Sequence, residues 1–199
     1  MMSFRMPAAI GALLALAVHL PARADAASDE AAWQLLRDGG QVVLMRHTIT
    51  TPGVGDPPGM RVDDCSTQRN LTEQGQRHAK AIGEAVRAHG ITFEHVYSSP
   101  MCRCLDTAVL AFGRVEKPHT SGNPNAGVED PARQVREMRA LATEKRRGSG
   151  NIVLVSHSST INAVTTISTK EGEMLVITPQ GDGNYELRGR LMAAPQPAE

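Results

Sequence analysis

The chain has 199 residues, enough for one domain with a substantial core and too few for two well-packed ones. Hydrophobic residues make up 41% and charged residues 21%, which excludes a fibrous, collagen-like or wholly disordered chain. Basic and acidic residues balance at 21 each, so the basic excess of a nucleic-acid binder is missing.

The first segment reads as a secretory signal. Arg5 supplies a positive start, Ala8 to Leu20 form an apolar stretch, and Ala22-Arg23-Ala24 gives the small-x-small pattern of a cleavage site. The apolar stretch falls short of the about 20 residues that a membrane-spanning helix needs. Residues 1–24 are therefore expected to be removed, leaving a single domain over 25–199 that is periplasmic or secreted and has no membrane span. Removal takes away Arg5 and Arg23 but no acid, so the mature chain is slightly acidic.

Asp29 to Asp38 reads as a helix stopped by Gly39-Gly40. Gln41-Val42-Val43-Leu44-Met45 is a continuous apolar run, the pattern of a strand buried on both faces. Thr48 to Arg61 is a Pro- and Gly-rich loop. Thr72 to His89 reads as a helix with a Thr cap and a Gly90 stop, its apolar positions Ala79, Ile82 and Val86 at helical spacing.

His95 to Ser98 is a second strand, and Pro100 to Phe112 a helix with Pro at its start. Glu116 to Glu129 is a second loop, after which Asp130-Pro131 opens a helix running to about Arg147. Asn151 to Val155 is a third buried strand, and Ser158 to Ser168 can form a helix after it. Met174 to Thr178 and Tyr185 to Leu191 flank Gly181-Asp182-Gly183 as a terminal hairpin. Strands alternating with helices predict a three-layer α/β/α sandwich around a mostly parallel sheet.

In such sheets the active site lies beyond the carboxyl ends of the strands. The first strand ends in Arg46-His47-Thr48, the second in Ser98-Ser99 with Arg103 a helical turn later, and the third in Ser156-His157-Ser158. Parallel neighbours would thus bring Arg46, Arg103, His47 and His157 to one pocket beside helix N-termini. Arginine forks match phosphate oxygens and helix N-termini favour anions, so the pattern reads as an anion site. His78, His89, His95 and His119 lie off these strand ends and read as structural or surface residues.

These segments carry a family resemblance. Met45-Arg46-His47-Thr48 resembles the Arg-His-Gly signature of the histidine phosphatase superfamily, which includes the phosphoglycerate mutases. Leu71-Thr72-Glu73-Gln74-Gly75-Gln76 resembles its Leu-Thr-x-x-Gly-x helix start, and Ser98-Ser99-Pro100-Met101-Cys102-Arg103 its Ser-Ser-Pro-x-x-Arg segment. Val155-Ser156-His157 resembles the strand that carries the second histidine, and Gly172-Glu173-Met174 the start of the next. The matches keep family order from residue 41 to about 178.

The resemblance implies hydrolysis of a small phosphorylated substrate without metal or other cofactor. His47 would be a neutral nucleophile forming a phosphohistidine, with its ring proton held by a backbone carbonyl. Arg46, Arg103 and His157 would bind the phosphoryl group, and Arg69 is a further candidate for the same pocket. Thr48 departs from the family glycine and would add a hydroxyl near the phosphate. Ser158 replaces the aspartate that the acid-phosphatase branch places after its second histidine. The carboxylate proton donor stays open among Glu116, Glu129, Asp130, Asp63 and Asp64. Alternatives are a phosphohistidine-protein phosphatase, or a non-catalytic phosphate- or glycan-binding protein of the cell envelope.

Three cysteines, Cys65, Cys102 and Cys104, remain. In an oxidising compartment they are expected to give one bridge and one thiol, with Cys65 joined to Cys102 or Cys104; the alternative is three buried thiols that never pair. The latter two lie about 200° apart on a helix of 3.6 residues per turn, with Arg103 between them. Their one-residue spacer disfavours a zinc site.

Overall fold

A computed structural model describes residues 22–116, 131–145 and 150–196. Residues 1–21 of the expected signal segment, together with His119, Glu129 and Asp130, lie outside the described residues. The elements in chain order are α1 (Ala22–Asp38), β1 (Val42–Arg46), a short 3-10 turn (Cys65–Thr67), α2 (Glu73–Ala88), β2 (Phe93–Ser98) and α3 (Cys102–Phe112). They continue with α4 (Pro131–Thr143), β3 (Asn151–Ser156), α5 (Ser158–Thr165), β4 (Met174–Gly181) and β5 (Asn184–Leu191).

The five strands form one sheet in the order β2-β3-β1-β4-β5. β2, β3 and β1 run parallel, while the terminal hairpin adds β4 antiparallel to β1 and β5 antiparallel to β4. The sheet is therefore mixed, and its three parallel strands are the three whose carboxyl ends carry the polar groups.

The pleat sorts the strand residues between two layers. On one face Val43, Met45, Val153, Val155 and Val176 pack against Trp33 and Leu36 of α1, Ile82 and Val86 of α2, and Cys104 and Ala108 of α3. On the other, Val42, Leu44, Ile152, Leu154 and Leu175 meet Met138 and Ala142 of α4 with Ile161 and Val164 of α5. Burial on both faces is why β1 and β3 read as unbroken apolar runs.

Boundaries moved for identifiable reasons. Thr72 caps α2 by accepting from the Gly75 N–H. α5 stops at Thr165 rather than Ser168, because Thr166 adopts a left-handed φ of 63° and its N–H closes onto the Asn162 carbonyl. α3 begins two residues after Pro100, with Met101 as its cap. Glycine allows two close approaches. A Cβ on Gly75 would stand 2.1 Å from the Ile49 carbonyl oxygen, and one on Gly83 at the same distance from that of Ala111. The first approach seats α2 on the chain leaving β1, and the second seats α2 on α3.

Candidate active site

Strand register builds the centre. Arg46 pairs with Ser156 in the β1–β3 ladder, and the His47 N–H donates to the Ser156 carbonyl at 2.9 Å. His47 and His157 continue the odd-numbered rows of Met45 and Val155, which face the layer of α2 and α3. Their rings meet edge to face with centroids 5.6 Å apart. Arg103 reaches the same region from the first turn of α3 and is buried.

His47 is buried, and its Nδ1 lies 2.7 Å from the Thr48 carbonyl oxygen. A carbonyl only accepts, so Nδ1 carries the proton and Nε2 keeps its lone pair. Burial pushes the His47 pKa down to about 3; the Thr48 carbonyl opposes that shift, and the charges of His157, Arg103 and Arg46 add to it. His157 is pushed down to about 4, first by burial and then by Arg103, with Asp56 opposing. Both rings are neutral at pH 7. His157 Nε2 is 3.0 Å from the Ser99 hydroxyl, which joins the ends of β2 and β3.

The three arginines are held by their outer nitrogens. Arg46 donates from Nη1 to the Thr169 carbonyl at 2.9 Å, and its Nη2 lies 3.3 Å from Glu171. Arg69 donates from Nη1 to the Thr50 hydroxyl at 2.6 Å. Arg103 donates from Nη1 to Asp56 at 3.0 Å and to the Arg69 carbonyl at 3.4 Å. Among the described residues, the Nε atoms of all three are buried without a hydrogen-bond partner. A buried, unsatisfied donor costs about 1–3 kcal/mol, more when charged, a cost that an anion bound among these side chains would offset.

The expected residues Arg46, His47, Arg103 and His157 thus share one site. Arg69 joins them through Thr50, Asp56 and the Arg103 contact to its carbonyl. Of the expected proton donors, Glu129 and Asp130 lie outside the described residues, and the other three have partners elsewhere. Glu116 accepts from His95 at 2.8 Å beside β2 and lies 3.8 Å from Arg114. Asp64 caps the 3-10 turn and pairs with Arg61, and Asp63 is exposed near the same arginine. The Thr48 hydroxyl is not a phosphate contact either. It donates to the Gly75 carbonyl at 2.9 Å and lies 3.3 Å from the Thr107 hydroxyl, fixing the turn after His47 to α2 and α3.

Among the described residues, the carboxylates that do stand in the cluster are Asp56 and Glu171. Asp56 lies in the loop of residues 48–61, where no motif marks it. Glu171 directly precedes Gly172-Glu173-Met174 and could have been found from that position. The histidines set aside have structural partners: His78 is fully buried near the Ala194 carbonyl, His89 stacks on Trp33 and His95 pairs with Glu116. Among the described residues, no group of three or more His, Cys, Asp or Glu side chains could hold a metal ion.

Residues 42–123, which include Arg46, His47, Arg69 and Arg103, match the model of the histidine phosphatase superfamily (branch 1). The stretch that carries these residues is thus similar to the histidine phosphatase superfamily. Solved structures agree on the fold. The protein histidine phosphatase SixA complexed with tungstate is similar at 17% identity and a TM-score of 0.53, over 77% of this chain and 97% of that one. A phosphoserine phosphatase from Entamoeba histolytica, solved with phosphoserine, gives the same four values. No curated protein matches the chain. At these identities the likeness to solved structures concerns the histidine phosphatase fold, and the chemistry rests on the residues themselves.

Proposed function

We propose that the chain hydrolyses phosphomonoesters through a phosphohistidine on His47. The observation that carries this reading is the fixed tautomer of a neutral His47, proton on Nδ1 and lone pair on Nε2, beside three arginines with unpaired buried donors. Nε2 attacks phosphorus while the ester P–O bond breaks and its electron pair leaves with the oxygen. The phosphorylated ring keeps its Nδ1 proton and so becomes cationic, which strengthens its hydrogen bond to the Thr48 carbonyl. Arg46, Arg103 and His157 stabilise the transferring group. Water then breaks the P–N bond, releasing phosphate and restoring neutral His47.

The positive charge in this mechanism comes from side chains, so chelator leaves turnover unchanged. The test is turnover of p-nitrophenyl phosphate, followed by a panel of phosphorylated sugars, nucleotides, lipids, phosphopeptides and a phosphohistidine peptide. Acid-labile phosphate trapped on His47 supports the reading. Tight phosphate binding without turnover of any panel member would make the chain a binding protein instead.

Export of the chain is part of the proposal, and the Cys65–Cys102 disulfide supports it, since such bonds persist in oxidising compartments. Fractionation of cells making the full chain tests the location.

A further inference from the structure

We propose that Asp56 is a positioning residue that sets the arginines of the phosphate site; this rests on the phosphatase reading above. One oxygen, Oδ1, accepts from two donors at 3.0 Å each: Nη1 of Arg103 and the backbone N–H of Arg69. The first fixes a guanidinium on α3, and the second fixes the loop that carries Arg69. Asp56 therefore ties two phosphate-binding candidates from different elements to a single point.

Two other contacts join the same loop to α3 without reaching the guanidinium. Cys65 is bonded to Cys102, and the Cys102 N–H donates to the Gln68 side chain at 2.9 Å. The Arg69 carbonyl touches Arg103 Nη1 only at 3.4 Å. Arg103 is 6% exposed, and a cation so buried needs a counter-ion; Asp56 is the carboxylate paired with it. Glu171 plays the matching part on the far side, lying 3.3 Å from Arg46 and accepting from the Thr50 hydroxyl that also receives Arg69. Asp56 is itself held ionised: burial pulls its pKa up, but the Arg69 N–H and Arg103 outweigh it. It is thus an anion that orients cations rather than an acid ready to protonate a leaving group.

The charge and the geometry of Asp56 can be separated. Asp56→Asn keeps an acceptor at Oδ1 and removes a negative charge from the phosphate site. It should lower kcat, but by less than Asp56→Ala does, while tungstate and inorganic phosphate bind several-fold more tightly by titration calorimetry. Asp56→Ala frees Arg103 and Arg69, and kcat should fall by more than about tenfold with the circular dichroism spectrum unchanged. If Asp56→Ala fails to fold, Asp56→Glu serves in its place, because its extra methylene displaces the carboxylate while keeping the charge; it should lose kcat likewise.

Wild-type kcat in the Ala or Glu variant overturns the proposal. So does an Asn variant that is as inactive as Asp56→Ala on phenyl phosphate but matches wild type on p-nitrophenyl phosphate, since Asp56 would then act as a proton donor to the leaving group. Should wild-type protein show no phosphatase activity, the phosphatase reading fails and tungstate binding decides for Asp56. Tighter binding in the Asn variant alone supports positioning, and equal binding by wild type, Asn and Ala variants overturns it.

Discussion

The Nδ1 of His47 lies 2.7 Å from the carbonyl oxygen of its own neighbour, Thr48, so a backbone group decides which ring nitrogen is free to react. The contact depends on the path of the chain after β1. The Thr48 N–H donates to the Thr107 hydroxyl and its side chain to the Gly75 carbonyl. Threonine therefore stands where the family signature has glycine at no cost in backbone strain, for Thr48 is not among the positive-φ residues.

The first prediction concerns proton binding. His47 and His157 have pKa values near 3 and 4, below the ordinary imidazole value of about 6.5. In the free protein neither ring should titrate between about pH 5 and 8, the range in which an exposed histidine does. Nitrogen-15 spectra of the imidazoles check this, and a His47 midpoint near 6.5 would refute the buried, neutral nucleophile. The stability consequence has a definite sign. Below the unfolded value the unfolded chain binds protons that the folded sites refuse. Stability is fully present above about pH 6.5 and falls as pH drops toward 4 and then 3.

Replacing the phosphate clamp gives the second prediction. His47→Ala should abolish turnover while the fold survives. Arg46→Ala and His157→Ala should each cost about 2.7–4 kcal/mol in kcat, by analogy with a lost oxyanion donor. Arg103→Ala should cost at least as much, because it also strips Asp56 of its counter-ion. Steady-state kinetics with circular dichroism decide the matter. Wild-type kcat in His47→Ala would sink the mechanism.

Much of this site was legible because strand ends announce themselves. Runs such as Val42–Met45 and Ile152–Val155, buried on both faces, stop abruptly at Arg46-His47 and Ser156-His157, and parallel pairing then has to bring those residues together. Asp56 and Glu171 were not legible in the same way. Their roles come from long-range contacts, Asp56 with Arg103 47 residues away and Glu171 with Thr50 across 121. A Pro/Gly loop has no periodicity to show where a carboxylate will land. The same reasoning explains why Glu116, Asp63 and Asp64 misled: their positions suggested the pocket mouth, while nearby His95 and Arg61 claimed them.

A third prediction contrasts two glycines. Gly75→Ala and Gly83→Ala each place a Cβ 2.1 Å from a backbone carbonyl oxygen, so each should destabilise by about 1–3 kcal/mol through overpacking. Only Gly75 presses on the chain next to His47, at Ile49, and only its own carbonyl receives Thr48. Gly75→Ala should therefore lower kcat in material that remains folded, whereas Gly83→Ala should lower the melting temperature alone. Equal kcat in both variants would mean that the seat of α2 on the chain after β1 does not transmit to the nucleophile.

The cysteines supply the last prediction. Cys65 and Cys102 are joined across 37 residues, and Cys104 stays a buried thiol. Peptide mapping of unreduced protein should find the 65–102 linked peptide and one further cysteine. Burial pushes the Cys104 thiol up to about 12, and the thiolate is the reactive form. Iodoacetamide at pH 8 should therefore leave Cys104 unmodified in folded protein and label it after denaturation. Replacing Cys65 and Cys102 together by serine should lower stability by about 2–4 kcal/mol, the usual effect of closing a loop of this size. The Gln68 and Asp56 contacts to α3 survive that change, so kcat should fall less than in Asp56→Ala. A double-serine variant more damaged in kcat than Asp56→Ala would show that the covalent tie, and not the carboxylate, keeps Arg103 in place.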